Sequence, residues 1–372
     1  MLTRNTGEGH NRVAQAVAQV FESQGDYCEV TDALRLVNGD DQDPGKHRAD
    51  LLSQMYGWAA LRMPAVFGAA YNLGDLYSRT RTPSPIRLQN SQYADATYDH
   101  IRDRGFDIVA ATHLFPQETL STVRRRHPGP ERYYSVLTDY SCTPFFSEPT
   151  LDGYFVPHPD MLDDCLKHGL PASVTYPVGL PVTRAFRMPP AKSEARRMVD
   201  VPPDLPVFML MSGGVGSMYT TEACDRLLAD AGEDVHVVIL TGRRQDLFTS
   251  VAGRYEADER VTVVPFTDRV ADYMAAADIL VTKPGAVSST EAAVMGLPLI
   301  HTAAIPGGET KNARFFADRG MSLYKQKPSE AARLVHWLLA DQAKLDEMRT
   351  CQRETMIADG AEQIVALIKA RA

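Results

Sequence analysis

The sequence predicts an α/β protein built from two doubly wound halves. Three observations carry this. The chain has 372 residues, too many for one ordinary domain and enough for two. Short apolar runs alternate with helix-length amphipathic segments along most of it, the pattern of a parallel sheet covered by helices. A proline-bearing stretch, Val178–Ala191, interrupts that rhythm once, after which it restarts.

In the first half, a short apolar scrap at Met1-Leu2 leads into the turn Thr6-Gly7-Glu8-Gly9-His10. From Asn11 to Ser23 the residues Val13, Ala14, Val17, Ala18, Val20 and Phe21 share one helical face. Strands are expected at Ile108–Ala111, Tyr133–Leu137, Tyr154–Val156 and Val174–Val178. Helices are expected at Gln117–Arg126 and at Pro159–His168, the latter stopped by Gly169. In the second half, Val207–Met211 is an apolar strand, Gly213–Ser217 a glycine-rich turn and Met218–Ala231 a helix. Strands follow at His236–Leu240, Val261–Val264, Ile279–Thr282 and Leu299–His301, and Ser329–Ala372 reads as amphipathic and helical. Two such halves are expected to face a cleft, because ligands of doubly wound sheets bind beyond the carboxyl ends of the strands.

Composition excludes several functions. The net charge is −8, against the basic face a general nucleic-acid binder needs, so no nucleic-acid partner is expected. The most apolar long stretch, Trp58–Leu73, is broken by Arg62 and Pro64 and falls short of the roughly 20 apolar residues of a membrane span. No targeting segment is expected ahead of the first turn. The five cysteines are scattered without a Cys-x-x-Cys pair, as suits reduced thiols in the cytosol, with no disulfide framework and no metal site. Asp41-Gln42-Asp43 has the form of a metal-binding acidic triplet, but it lies in a polar stretch and reads as a solvated loop.

The candidate site residues cluster at predicted strand ends. Gly213, Gly214, Gly216 and Ser217 follow a buried strand and open a helix, where backbone N–H groups and the helix dipole suit a diphosphate. Lys283-Pro284-Gly285-Ala286-Val287-Ser288-Ser289-Thr290-Glu291 follows another strand. Here Gly285, Ala286, Ser288 and Ser289 would hold phosphates, and Glu291 the vicinal hydroxyls of a ribose. The plainer reading of that stretch is a capping box, with Ser288 as the N-cap and Glu291 closing it. Gly308, Glu309 and Asn312, in Ile305–Asn312, suit a helix start aimed at a polyhydroxylated ligand. Gly242 and Phe266 lie just past strands where a nucleotide base could sit, although a turn glycine and a core aromatic are the plainer reading. Gly9 and His10 stand at the first turn, where a helix start disfavours the imidazolium and keeps His10 able to act as a base.

The stretches TGEGH, SGGVGS, KPGAVSSTEA and IPGGETKN, in this order and spacing, resemble glycosyltransferase family 28, in its group of monogalactosyldiacylglycerol synthases and processive diacylglycerol glucosyltransferases. LTDYSCTPF (Leu137–Phe145), DGYFVPH (Asp152–His158) and VGLPVTRAF (Val178–Phe186) extend the resemblance over nearly the whole chain. It implies a GT-B fold. Residues 1–185 would bind the acceptor diacylglycerol and 191–355 the nucleotide sugar, with a last helix in 356–372 crossing back to the first domain. It implies inverting transfer of glucose or galactose from a UDP-sugar, without a cofactor or metal, with His10 as the base. Asp139, by its own place just after the strand Tyr133–Leu137, could face the cleft and support His10 or the acceptor. Family members usually carry a second glycine where Ala286 stands and often threonine where Ser288 stands. Plant members have glutamine where Gly308 stands, so hexose selectivity does not carry over.

A lipid acceptor implies a peripheral enzyme on the inner face of the cell membrane. Within Asp50–Asn90, Trp58, Met63, Phe67, Tyr71 and Tyr77 are interleaved with Arg62, Arg79, Arg81 and Arg87. The stretch has a balance of +2 in an otherwise acidic half, as suits an anionic lipid surface; ordinary core helices fit it as well. Other readings of the whole chain are N-acetylglucosamine transfer to a lipid-linked precursor, UDP-N-acetylglucosamine epimerisation, and a non-catalytic relative that binds UDP-sugars or membranes.

Overall fold

The computed structural model describes residues 1–4, 8–36, 64–78, 84, 87, 90–211, 219–231 and 234–371. Two compact units divide the chain. The first comprises Met1–Thr183, Ile305–Gly308 and Ile357–Ala372, and the second Arg184–Ala304 and Glu309–Met356.

The first unit holds six parallel strands: β1 (Leu2–Thr3), β2 (Thr31–Asp32), β3 (Ile108–Ala111), β4 (Arg132–Val136), β5 (Gly153–Val156) and β6 (Thr175–Pro177), in the order β2-β1-β3-β4-β5-β6. Its helices are α1 (Glu8–Ser23), α2 (Pro64–Ser78), α3 (Ala94–Arg104), α4 (Leu114–Arg126) and α5 (Leu162–His168). β5 is buried throughout, as a strand covered on both faces must be. A Cβ on its Gly153 would lie 3.0 Å from the Tyr134 ring and 3.2 Å from the Tyr176 ring, so only glycine lets the flanking tyrosines close over the strand.

The second unit has the same winding. β7 (Val207–Met211), β8 (His236–Leu240), β9 (Val261–Val264), β10 (Ile279–Thr282), β11 (Leu299–His301) and β12 (Ser322–Tyr324) are parallel, in the order β12-β11-β10-β7-β8-β9. Phe208, Leu210, Val237, Ile239, Ile279, Val281 and Ile300 are fully buried and form the core. Helices α6 (Arg184–Arg187), α7 (Lys192–Met198), α8 (Tyr219–Ala231), α9 (Gln245–Arg254), α10 (Val270–Ala276), α11 (Ala286–Val294), α12 (Gly308–Asp318), α13 (Pro328–Ala340) and α14 (Gln342–Thr355) accompany them. Asp278, ahead of β10, anchors α7: it accepts from Arg196 at 2.8 Å, from Lys192 at 2.6 Å and from the N–H of Val207 at 2.7 Å.

The helical tail is divided. α13 ends at Asp341, whose side chain caps α14 by accepting from the N–H of Lys344 at 3.0 Å. The last helix, α15 (Gly360–Lys369), belongs to the first unit, where it packs on α1 and Lys369 pairs with Asp26. Its entry is tight. A Cβ on Gly360 would stand 2.7 Å from the carbonyl oxygen of Gly179, and one on Gly179 would stand 2.7 Å from Ile357.

In each sheet the strand order reverses once, between β1 and β3 and between β7 and β10. The crevice beyond the carboxyl ends at such a reversal is where open α/β sheets take ligands. Among the described residues no helix is long and apolar enough to cross a membrane.

One buried acid marks the first unit. Glu118 of α4 is 1% exposed. Burial and the neighbouring carboxyl of Glu148 push its pKa up to about 8. Glu148 in turn accepts from the N–H and hydroxyl of Ser84 at 2.8 and 2.6 Å. The folded state therefore holds a proton that the unfolded chain releases near its ordinary carboxylate pKa of 4.5. Stability falls as pH rises from about 4.5 to 8, by up to about 1.4 kcal/mol per pH unit. Glu118→Gln, which cannot ionise, is expected to unfold at a temperature that exceeds the parent's by a margin growing from pH 5 to pH 8. Calorimetry across that range checks this.

Candidate active and nucleotide-binding sites

The site in the first unit is assembled at the reversal between β1 and β3. The Thr3 hydroxyl donates to Asn11 Oδ1 at 2.7 Å and ties β1 to α1. Gly9 and His10 fall in the first turn of α1, whose N–H groups have no partner within the helix. His10 Nδ1 lies 2.7 Å from the carbonyl oxygen of Thr112, just past β3. A carbonyl only accepts, so Nδ1 carries the proton and Nε2 keeps its lone pair. Thr138 Oγ1 lies 3.2 Å from the same Nδ1, and the Thr112 hydroxyl donates to the His10 carbonyl at 3.2 Å.

Burial lowers the His10 pKa below the ordinary imidazole value, while the negative charge of half-buried Asp139 and the Thr112 carbonyl oppose this without reversing it. The sequence reading anticipated the neutral ring from the helix dipole; burial is the larger cause. Beside it His113 caps α4, its Nδ1 accepting from the N–H of Phe115 at 3.1 Å. The two imidazoles meet edge to face, centroids 4.7 Å apart at 74°. A Cβ on Gly308 would stand 4.0 Å from both Asp139 Oδ1 and Tyr71 Oη.

The site in the second unit forms at the reversal between β7 and β10. Gly213, Gly214, Gly216 and Ser217 lie outside the described residues, but their flanks do not. The phenol of Tyr219 donates to the carbonyl of Met211 at 2.6 Å and accepts from the N–H of Lys283 at 3.1 Å, joining the two strand ends. Thr282 Oγ1 donates to the same Met211 carbonyl at 2.9 Å. Asn312 of α12 is fully buried and donates to the carbonyl of Pro284 at 3.2 Å. Lys283 Nζ donates to Glu309 Oε1 at 3.1 Å. A lysine ammonium, the start of α11 and the end of β7 are thus brought together.

Two expectations for this stretch are corrected. The N-cap of α11 is Gly285, not Ser288, so there is no capping box. The helix starts directly after Pro284-Gly285, and its first bond runs from the N–H of Ser289 to the carbonyl of Gly285 at 3.0 Å. That start turns fully buried Ser289 into the core, where its hydroxyl meets His301 Nε2 at 2.9 Å and is not presented to a phosphate. Gly285 and Ser288 are the half-exposed positions, Ala286 is buried, and Glu291 is 1% exposed on the second turn.

At the ends of β8 and β9, Gly242 takes φ +71°, a conformation glycine adopts freely. Phe266 is not a core aromatic. It is 42% exposed, and the Arg243 guanidinium lies 3.7 Å above its ring. Sequence reasoning missed Arg243, although a cation beside a strand-end glycine was the available signal. It also missed Thr112, Thr138 and His113. Asp41–Asp43, Arg62, Arg79 and Arg81 lie outside the described residues, as do Trp58 and Met63. Among the described residues no three His, Cys, Asp or Glu side chains gather to hold a metal ion.

The sequence matches the monogalactosyldiacylglycerol (MGDG) synthase family over residues 10–182 and the glycosyltransferase family 28 C-terminal domain over residues 216–365. The chain belongs to glycosyltransferase family 28. Its relatives include the processive diacylglycerol beta-glucosyltransferase of Bacillus licheniformis, 26% identical, with 98% of this chain and 92% of the relative covered. The Bacillus subtilis protein of the same name is 25% identical over 98% of this chain and 93% of its own length. Among solved structures, MurG from Acinetobacter baumannii superposes with a TM-score of 0.63 at 17% identity, covering 100% of this chain and 98% of that one. HepE from Anabaena in complex with UDP gives 0.57 at 12%, covering 99% and 98%. These likenesses show the GT-B fold that family 28 members share.

The His10 geometry has a direct spectroscopic consequence. Nitrogen NMR is expected to find the ring neutral and protonated on Nδ1 from pH 8 to below pH 6.5. Asp139→Asn removes a charge that favours the imidazolium, so it is expected to move the titration further down. An upward move in that variant contradicts the arrangement.

Proposed function

We propose that the chain transfers a hexosyl group, glucose or galactose, from a UDP-sugar to the hydroxyl of diacylglycerol, with inversion, at a membrane surface. The observation that carries this reading is the neutral His10 ring, fixed through Nδ1 on the Thr112 carbonyl with Nε2 left as the basic nitrogen. In a single displacement Nε2 takes the acceptor proton while the oxygen attacks the anomeric carbon and UDP leaves from the opposite face. Asp139 offsets the charge His10 gains. The curated relatives are named as diacylglycerol glucosyltransferases, which supports the acceptor.

In this reading the second unit holds the donor. The starts of α11 and α12 and the ammonium of Lys283 meet the diphosphate, with the half-exposed Ser288 and Gly285 beside it. Glu291 takes the ribose, Glu309 the hexose, and the uracil stacks on Arg243 and Phe266. Lys283→Met is expected to weaken UDP by about 1.5–3 kcal/mol, the scale of a charged hydrogen bond, with uridine binding unchanged. Calorimetry with both ligands checks this.

The membrane contact in this reading is α2. Leu73 and Leu76 are 68% and 63% exposed, and Ala69 and Ala70 extend the same apolar side. Asp75, the only charged residue of the helix, binds His168 at 3.1 Å. That imidazole, between Asp75 and Asp164, has its pKa pushed up to about 9. Leu73→Asp with Leu76→Asp is expected to abolish sedimentation with vesicles and leave UDP affinity unchanged. Equal sedimentation of mutant and parent removes α2 from the interface.

Incubation with UDP-glucose or UDP-galactose and diacylglycerol vesicles, read by mass spectrometry, tests the whole reading. His10→Gln is expected to lose about 10²–10⁴ in rate and to keep UDP affinity. A mutant that retains the parent's turnover overturns His10 as the base.

A further inference from the structure

Beside the base stands a second imidazole that the reaction as described does not use. His113 Nδ1 accepts the N–H of Phe115 and caps α4. A ring that accepts through Nδ1 and is uncharged carries its proton on Nε2. Protonating Nδ1 as well removes the cap and sets a positive charge at the positive end of the helix dipole. Burial is the main reason that the His113 pKa lies well below the ordinary imidazole value, with the charges of His10 and Arg4 adding to it, and the helix it caps favours the same uncharged state. Its ring lies 4.7 Å from that of His10 at 74°. The backbone link is direct, because Thr112, whose carbonyl fixes His10 Nδ1, is the preceding residue.

We propose that His113 is a positioning residue for the base: its uncharged ring forms a wall, edge to face with His10, that fixes the plane of the His10 ring and shields it from water. The proposal rests on His10 being the base. The charged groups facing the two rings are Asp139 beyond His10 and Arg4, whose guanidinium lies 4.5 Å over the Phe115 ring and bears on His113. Glu8 and Arg12 lie on α1 itself. Asp139 favours a charged His10, and burial opposes it more strongly. Removing the wall hydrates His10 and lets Asp139 act with less opposition.

Two substitutions separate the ring from the cap. His113→Asn keeps a good N-cap and removes the ring, whereas His113→Phe keeps a ring and removes the cap. His113→Asn is expected to unfold within a few degrees of the parent. Its His10 titration, followed by nitrogen NMR without ligand, is expected to move up toward the ordinary imidazole value. The acid limb of kcat/KM should move by the same amount, and kcat at pH 7 should fall about tenfold through the loosened base, with the KM for the UDP-sugar unchanged. His113→Phe is expected to melt a few degrees lower and to leave the His10 titration and the acid limb where the parent has them. If His113→Asn keeps the parent's titration and pH profile, His113 is a cap and nothing more, and the proposal falls. If His10→Gln retains full transfer, the base assignment falls instead, and the NMR titration still decides whether His113 shields that ring.

Discussion

The bond from His10 Nδ1 to the carbonyl of Thr112 is the constraint on which the first unit's site depends. It selects the tautomer, fixes the ring and leaves the second nitrogen basic. The bond exists because β1 and β3 are parallel neighbours: Leu2 lies opposite Ala111, and the N–H of Thr112 donates to the carbonyl of Leu2 at 3.1 Å. A strand of two residues is thus enough to set where the base stands. The residue after Thr112 then starts α4, so one strand end supplies both the anchor of His10 and its neighbour.

The second unit uses a tyrosine where the first uses a histidine. The buried phenol of Tyr219 spans the ends of β7 and β10, and burial pushes its pKa far above the ordinary phenol value, so it stays a hydrogen-bond donor. Lys283 is held by its backbone to that phenol and by its ammonium to Glu309. Both units place polar groups at the one point in their sheet where consecutive crossovers diverge. That is a property of the winding, and it recurs here without any repetition of sequence.

The sheets were legible in the sequence to different depths. β7, β8, β10 and β11 stand where apolar runs placed them, because a strand buried on both faces leaves that trace, whereas half-buried β9, at the sheet edge, was marked by the valines Val261, Val263 and Val264. β2 and β12 left none: Thr31-Asp32 and Ser322–Tyr324 are too short to carry a period, and their pairing is decided by neighbours distant in sequence. His10 was legible from its place at a glycine-flanked helix start. Its carbonyl partner was not, since Thr112 is 102 residues away. Ser289 was misread because a helix's starting residue sets which side each later residue faces. With Gly285 as the cap, Ser289 turns to the core and Ser288 outward. Arg243 escaped notice because its role depends on Phe266 being at the surface, which an apolar residue type does not announce.

The placement of α15 bears on how the chain is made. The first unit is complete only when Ile357–Ala372 packs on α1, yet that segment is synthesised after the whole of the second unit. The second unit's sheet is fully synthesised before it, so the second unit can finish folding while the first still lacks a helix and shows the apolar face of α1 to solvent. The glycine contact between Gly179 and Gly360 joins residues made 181 positions apart. For an enzyme of this architecture, the part that houses the proposed base is begun before the second unit and completed after it, and a nascent chain stalled before residue 357 holds one folded unit and one waiting to close.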